Sequence, residues 1–371
     1  MAARGVTGAD ALRPDDLARL LRRSVDVIRE NQDEGGAYLA SPSLPTYRFS
    51  WFRDGAFIAD AMSRAGQAES AEAFFRWCAD IVIARGDRIE SLIARHRAGE
   101  AIDRDEHLRC RYRPDGSEGD MPWSNFQLDG YGMWIWALGA HASRHARSVE
   151  PFADAVVLSA RYLAEFWDEP CFDWWEERFG CHTATLAAVH AGLVTAGELD
   201  SRAADAAEAA NRIAATVWAE GVVDGRLAGE LGDPRIDASL VACSTPFRLL
   251  DPDEPVVEAT VRALEAEIAH GGVHRYPGDS YYGGGEWLLL AALLGWHYAE
   301  AGRRDDAWAQ LAWVAAQANE AGDLPEQVES HLETPSALDD WVRKWGPSAS
   351  PLLWSHAMFV TLALDLGLSL E

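Results

Sequence analysis

Between Asp15 and Asn31 the chain reads DDLARLLRRSVDVIREN. Leu17, Leu20, Leu21, Val25 and Ile28 recur there at the spacing that lines one face of a helix. The two leading aspartates suit the positive end of a helix dipole. The same period returns over 54–66, 69–85, 127–146, 149–167, 181–196, 201–219, 236–245, 253–269, 285–301, 303–321 and 350–367. The pattern therefore predicts about twelve helices. Period-two alternation is scarce, which leaves strands a minor role and speaks against a sheet-based fold.

The connections are of two kinds. Ala65-Gly66-Gln67 and Glu300-Ala301-Gly302-Arg303 are short, whereas 32–52, 86–126, 168–180, 220–235, 270–284 and 322–349 are long and rich in Gly, Pro, aromatic and charged residues. Long loops inside a domain usually carry function. Here they recur after pairs of helices, the rhythm of helical hairpins stacked into a closed toroid with the long loops on one rim. No low-complexity linker divides the chain, so residues 1–371 are expected to form a single all-α domain.

Composition narrows the partners. The formal net charge of −26 repels nucleic acid, anionic membrane surfaces and other polyanions and favours a neutral ligand. Sixteen tryptophans fill cores, but they also offer flat faces on which the C–H side of a sugar ring stacks. Five cysteines without CxxC spacing read as reduced thiols, not as a zinc site or a disulfide framework. The N-terminal stretch holds no apolar core of signal-peptide length, and no apolar run of membrane-spanning length occurs, so the expected compartment is the cytoplasm.

The chemistry gathers in the long loops. Trp51, Arg53 and Asp54 stand at a helix mouth, where guanidinium and carboxylate can bind neighbouring hydroxyls as donor and acceptor. The same aspartate also suits a plain helix cap. Trp123-Ser124-Asn125-Phe126-Gln127-Leu128-Asp129 fits sugar recognition or loop capping equally. In Asp173-Trp174-Trp175-Glu176-Glu177-Arg178, two carboxylates lie among indoles; desolvation there raises a pKa, as a general acid requires. The stretch from His274 to Trp287 adds Arg275, Asp279, Tyr281 and a glycine turn. Glu326 follows Pro325 in a loop some 150 positions beyond Glu176, so only a closed fold brings the two together.

Taken in order, these motifs resemble glycoside hydrolase family 15, the glucoamylases and their relatives, from about Tyr47 to Ala357. The resemblance implies an (α/α)6 barrel with a pocket for one terminal glucose and no metal or cofactor. It implies that Trp51, Arg53 and Asp54 grip the sugar and that Tyr47 helps hold the attacking water. It makes Glu176 the general acid and Glu177 a binding residue. Trp123, Trp175, Arg275 and Tyr281 line the pocket, Glu326 is the general base, and Trp354 is a wall. His356 stands where the family often carries tyrosine. No segment fits the N-terminal β-sandwich or the starch-binding module of larger members.

The activity these readings point to is an inverting exo-α-glucosidase that releases β-glucose from short α-gluco-oligosaccharides, of isomaltose type. Two other catalytic readings stand beside it. One is an α,α-trehalase of the same family, which would use the same carboxylates. The other is a sugar epimerase on a similar toroid, which would work through a histidine pair. A non-catalytic sugar-binding protein is a further alternative, against which the Glu176/Glu326 pair argues. The oligomeric state is left open.

Overall fold

The structure, a computed structural model, describes residues 13–370 apart from Ala204. Residues 1–12, part of the stretch read for a leader, lie outside it.

Helix α1 (Pro14–Glu30) opens with Pro14 and two aspartates in its first turn and carries Arg29 in its last, and it buries one apolar stripe that includes Leu17, Leu21, Val25 and Ile28. Then follow α2 (Phe52–Arg64), α3 (Ala68–Ala84), α4 (Gly86–Arg97), α5 (Asp129–His145), α6 (Ala153–Phe166), α7 (Thr183–Leu199), α8 (Ala206–Glu220), α9 (Pro255–Glu267), α10 (Leu288–Glu300), α11 (Arg304–Ala315), α12 (Leu338–Trp345) and α13 (Leu353–Asp365).

Helices without a polar face go inside. In α2 every residue from Phe52 to Ser63 is buried, in α10 every residue from Leu288 to Tyr298, and in α13 every residue from Leu353 to Ala363. These three, with α5, α7 and the 3-10 segment Ala238–Cys243, form a closed inner ring. α2 packs on α5, α5 on α7, α7 on the 3-10 segment, that segment on α10, α10 on α13, and α13 back on α2. The amphipathic helices α1, α3, α6, α8, α9 and α11 pack around this ring. The fold is thus the expected helical toroid.

Three expectations need correction. The predicted helix 236–245 is only a 3-10 segment, because Pro246 supplies no N–H and disfavours helical backbone at the residue before it. The supposed loop 86–126 opens with α4, whose Ile89, Leu92 and Ile93 are buried and which packs on α6. The supposed loop 322–349 contains α12, a helix that buries none of its residues.

Among the described residues, eight two-residue strands form four antiparallel ladders, three of which carry the loops described below. All five cysteines are free thiols. Among the described residues, no helix is long and apolar enough to cross a membrane.

The ring is tightest where α5 meets α7. A Cβ on Gly132 would lie 2.3 Å from the Ala188 carbonyl oxygen, and one on Gly192 would lie 2.5 Å from Gly132 Cα. Backbone cannot retreat as a flexible side chain can. We predict that Gly132→Ala destabilises the fold by about 1–3 kcal/mol or more, read from the midpoint of denaturant unfolding. An unchanged midpoint would show that the two helices can separate freely.

Candidate active site

Glu176 sits at the tip of a hairpin. Strands β3 (Cys171–Phe172) and β4 (Phe179–Gly180) pair antiparallel, and the residues between them turn around Asp173. The Asp173 carbonyl accepts from Glu176 N–H at 3.0 Å, and its carboxylate accepts from the N–H groups of Glu177 at 2.8 Å and Arg178 at 3.2 Å. Gln127 also donates to the Asp173 carbonyl. Glu176 itself has φ 64°, left-handed backbone that a residue with a Cβ rarely adopts, so this web of bonds holds a strained turn.

The turn presents the Glu176 carboxyl to two indoles. Trp51 Nε1 donates to Oε1 and Trp123 Nε1 to Oε2, each at 2.6 Å, while Arg53 Nη2 lies 3.4 Å from Oε1. Strand β1 (Ser50–Trp51) is held against β2 (Arg111–Tyr112), and the Arg111 guanidinium lies over the Trp123 ring, 3.6 Å from its centroid. Burial raises the Glu176 pKa, and the opposing pull of Arg53 and the indole N–H donors does not cancel it.

Glu326 is positioned by a different ladder. Its N–H donates to the Ala349 carbonyl at 2.9 Å, and β7 (Glu286–Trp287) pairs with β8 (Gln327–Val328) immediately after it. Tyr47 Oη donates to Glu326 Oε1 at 2.9 Å and shares a 2.7 Å hydrogen bond with Tyr281 Oη; Ser348 Oγ donates to Oε2 at 3.2 Å. Burial pushes Glu326 up to about 7, against the pull of these hydroxyls and of Arg275.

Arg53 and Asp54 come from the first turn of α2. Arg53 Nη1 donates to Gln127 Oε1 at 3.0 Å and to Asp129 Oδ2 at 3.2 Å. Arg53 Nε and Asp54 Oδ2 are buried without a hydrogen-bond partner among the described residues. They form a donor and an acceptor side by side, 3.6 Å apart. Burial raises Asp54 to about 7 despite the neighbouring guanidinium.

Arg275 is clasped by Asp279 through Nε at 2.7 Å and Nη2 at 2.6 Å, and its Nη2 reaches Glu177 Oε1 at 2.9 Å. Tyr276 Oη donates to the other Glu177 oxygen. Trp175 is fixed by a 2.8 Å hydrogen bond from its Nε1 to Asp237 Oδ2.

All twelve residues singled out in the sequence line one cavity of about 370 Å³: Tyr47, Trp51, Arg53, Asp54, Trp123, Trp175, Glu176, Glu177, Arg275, Tyr281, Glu326 and Trp354. No histidine lines it, which removes the basis for a histidine-pair epimerase. His356 is buried instead behind the Glu326 loop. Its Nε2 accepts from Leu324 N–H at 3.0 Å and its Nδ1 pairs with Ser24 Oγ at 2.9 Å. Burial lowers its pKa to about 3, so the ring is neutral and structural.

Sequence reasoning did not assign Trp174, Tyr282, Trp287, Trp341, Lys344 and Trp345, which also line the cavity. Trp341 and Trp345, four residues apart on α12, are legible as one helix face only once that helix is recognised.

A toroidal ring of helices whose rim gathers two glutamates in one cavity, an arginine–aspartate pair and a wall of indoles defines a glycoside hydrolase. The chain belongs to glycosyl hydrolases family 15, whose sequence profile matches residues 20–230. It is 44% identical to the isomaltose glucohydrolase of Kribbella flavida over 98% of this chain and 96% of that one. The solved structure of a wild-type glycosidase superposes with a TM-score of 0.94 at 43% identity, covering 98% of this chain and all of the other; a variant of that glycosidase in complex with glucose matches equally. The trehalase of Mycolicibacterium smegmatis is more distant, 27% identical over 64% of this chain and 39% of its own length.

Removing the Asp173 carboxylate frees two N–H groups of the turn that strains Glu176. We predict that Asp173→Ala lowers kcat by about 100-fold, since small misplacement of a catalytic group has that effect, while the melting temperature falls only slightly. Wild-type turnover in the variant would show that the turn holds without its aspartate.

Proposed function

We propose that this hydrolase is an inverting exo-α-glucosidase acting on short α-1,6-linked gluco-oligosaccharides, with isomaltose the preferred substrate. One observation carries the reading: Glu176, half-buried, and Glu326, buried, line one aromatic cavity and are carried by different two-stranded ladders.

In this mechanism Glu176, whose pKa burial raises, donates a proton to the glycosidic oxygen. Ionised Glu326 takes a proton from a water, which attacks C1 and inverts the anomeric centre. Tyr47, bonded to Glu326, orients that water. Arg53 Nε and Asp54 Oδ2 bind adjacent hydroxyls of the terminal glucose, and Arg275 with Glu177 holds its other side. Trp51, Trp123, Trp175, Tyr281 and Trp354 wall the sugar. No metal or cofactor enters any step.

The linkage preference rests on the likeness to the Kribbella enzyme. The preference for short substrates is supported by α12, whose exposed Lys344 and Trp345 line the cavity at its mouth and crowd the path of a longer glucan. The partner is then a neutral glucose oligosaccharide, with nucleic acid and anionic membranes disfavoured by the net charge of −26. Free thiols support a cytoplasmic site of action, and we read 1–371 as one catalytic domain.

Two tests follow from this reading. With isomaltose, maltose, trehalose and soluble starch at equal concentration, kcat/KM is expected to be highest on isomaltose and lowest on starch; maltose ahead of isomaltose would refute the linkage, and starch in first place would refute the short pocket. Glu176→Gln and Glu326→Gln are each expected to lower kcat by about 10²–10⁴-fold, the usual weight of one proton-transfer group.

The pH profile provides a separate check. The base must be ionised, so its raised pKa means that activity is gained as pH rises towards about 7 and lost as pH falls below it. The raised Glu176 pKa moves the alkaline limb the same way, and the limbs belong to the pair. We predict a near-neutral optimum, with kcat/KM at about pH 5 no more than roughly a tenth of the maximum. Full activity at that pH would contradict the burial argument.

A further inference from the structure

Outside the catalytic cavity, the described residues place one ring nitrogen each of His270 and His274 and a carboxylate oxygen of Glu333 within 4.8 Å of one another. None of the three lines the cavity. His270 is exposed, Glu333 half-buried and His274 fully buried.

The buried histidine makes this more than a chance surface cluster. His274 Nδ1 lies 3.0 Å from the Gly284 carbonyl, a pure acceptor, so Nδ1 carries the proton and donates it. Its Nε2 is then left with a lone pair, buried and without a hydrogen-bond partner. A buried acceptor is rarely left so. Imidazoles that bind metals have this arrangement, one nitrogen donating to a carbonyl and the other on the ion.

The surroundings reinforce it. Glu333 Oε2 accepts from Gly278 N–H at 3.0 Å, which fixes the carboxylate against the glycine turn. His331 lies beside His270, with ring centroids 6.1 Å apart, and its Nδ1 is 3.3 Å from Glu286 Oε1. Glu286 is fully buried and its Oε2 also lacks a hydrogen-bond partner, so a second negative group stands close by.

We propose that His270, His274 and Glu333 bind a borderline divalent cation of the zinc class, with a fourth position left to water. Two neutral imidazoles and one carboxylate suit zinc and its first-row neighbours, whereas calcium and magnesium prefer oxygen-only shells. Bonds of about 2.0–2.2 Å require the ligand atoms to close in by roughly 1 Å, within reach of side-chain rotation for the two less buried groups. The ion clips the segment before Arg275 to the loop beyond β8. It thereby braces the stretch 275–283, which carries Arg275 and Tyr281, from outside the pocket.

The test is calorimetric titration of the chelator-treated full chain with Zn²⁺ at neutral pH, supported by the absorption of Co²⁺ as a spectroscopic probe. We expect one Zn²⁺ per chain, unaffected by excess Ca²⁺, and a rise of about 3 °C or more in melting temperature at a hundredfold excess over Kd. His270→Ala and Glu333→Gln keep the buried histidine and the fold, and each is expected to weaken Zn²⁺ binding at least tenfold. The half-buried thiol Cys181 is the competing ligand, so Cys181→Ser is expected to bind as the parent does. No binding at one equivalent, unchanged affinity in both site variants, loss in Cys181→Ser, or displacement by Ca²⁺ would each overturn the proposal.

Discussion

Everything at the rim depends on one packing contact, the closure of the inner ring where α13 meets α2. Glu326 reaches the cavity because its loop is tied to the start of α13: its own N–H bonds to Ala349, and the Leu352 N–H bonds to the Leu324 carbonyl at 2.9 Å. That junction is in turn fastened to the loop before α2, through Leu353 N–H to the Ala40 carbonyl at 3.0 Å and Ser350 N–H to Ser43 Oγ at 3.2 Å. Tyr47 on one side and Glu326 on the other thus meet at a seam between the two ends of the chain. Residues this far apart in sequence share a pocket only while the ring is shut, and His356, neutral and bonded to both Leu324 and Ser24, sits inside that seam.

The second constraint is electrostatic. Arg53 is a buried cation among Asp54, Asp129 and Glu176. Negative charge is in excess around it, and burial makes each ionised carboxylate unfavourable. Burial raises both Glu176 and Asp54, and at Asp54 the neighbouring carboxylates of Glu176 and Asp129 add to it. Glu326 accepts from the hydroxyls of Tyr47 and Ser348 and is raised by burial against their pull and that of Arg275. The cavity therefore holds Glu326 and Asp54 near neutrality, while indole and guanidinium donors aim Glu176. This arrangement needs rigid walls, and the aromatic packing supplies them: Phe57 stacks on Trp354 at 5.3 Å, and Trp174 lies 5.9 Å from the same ring.

How much of this is legible in the sequence differs by element. Helices such as α10 and α13, apolar on every face, announce burial by composition, and α1 by its stripe. The inner ring's 3-10 segment reads as a full helix because Ala238–Cys243 is apolar enough to look helical, and only the penalty at Pro246 tells against it. Helix α4 has just Ile89, Leu92 and Ile93 to reveal it, and α12 buries nothing, so periodicity has little to report. At the site, each motif is ambiguous alone and their order along the chain makes them readable together. The partnerships are not visible: that Trp51 and Trp123 both donate to Glu176, or that Gln127 and Asp129 hold Arg53, follows from strand pairing and ring closure, which no local pattern encodes. The histidine cluster is hidden for the same reason, since His270 and Glu333 are joined only through the folded loop.

The proposed mechanism gives Glu176 and Glu326 opposite proton roles, and the stereochemistry of the product depends on that division directly. Proton NMR recorded from the first seconds of isomaltose hydrolysis distinguishes the anomers before they equilibrate. The newly released glucose is expected to be the β-anomer, with the α-signal of that glucose growing only at the rate of mutarotation. Initial appearance of α-glucose would mean retention through a covalent intermediate, and would contradict the roles of Glu176 as general acid and Glu326 as general base.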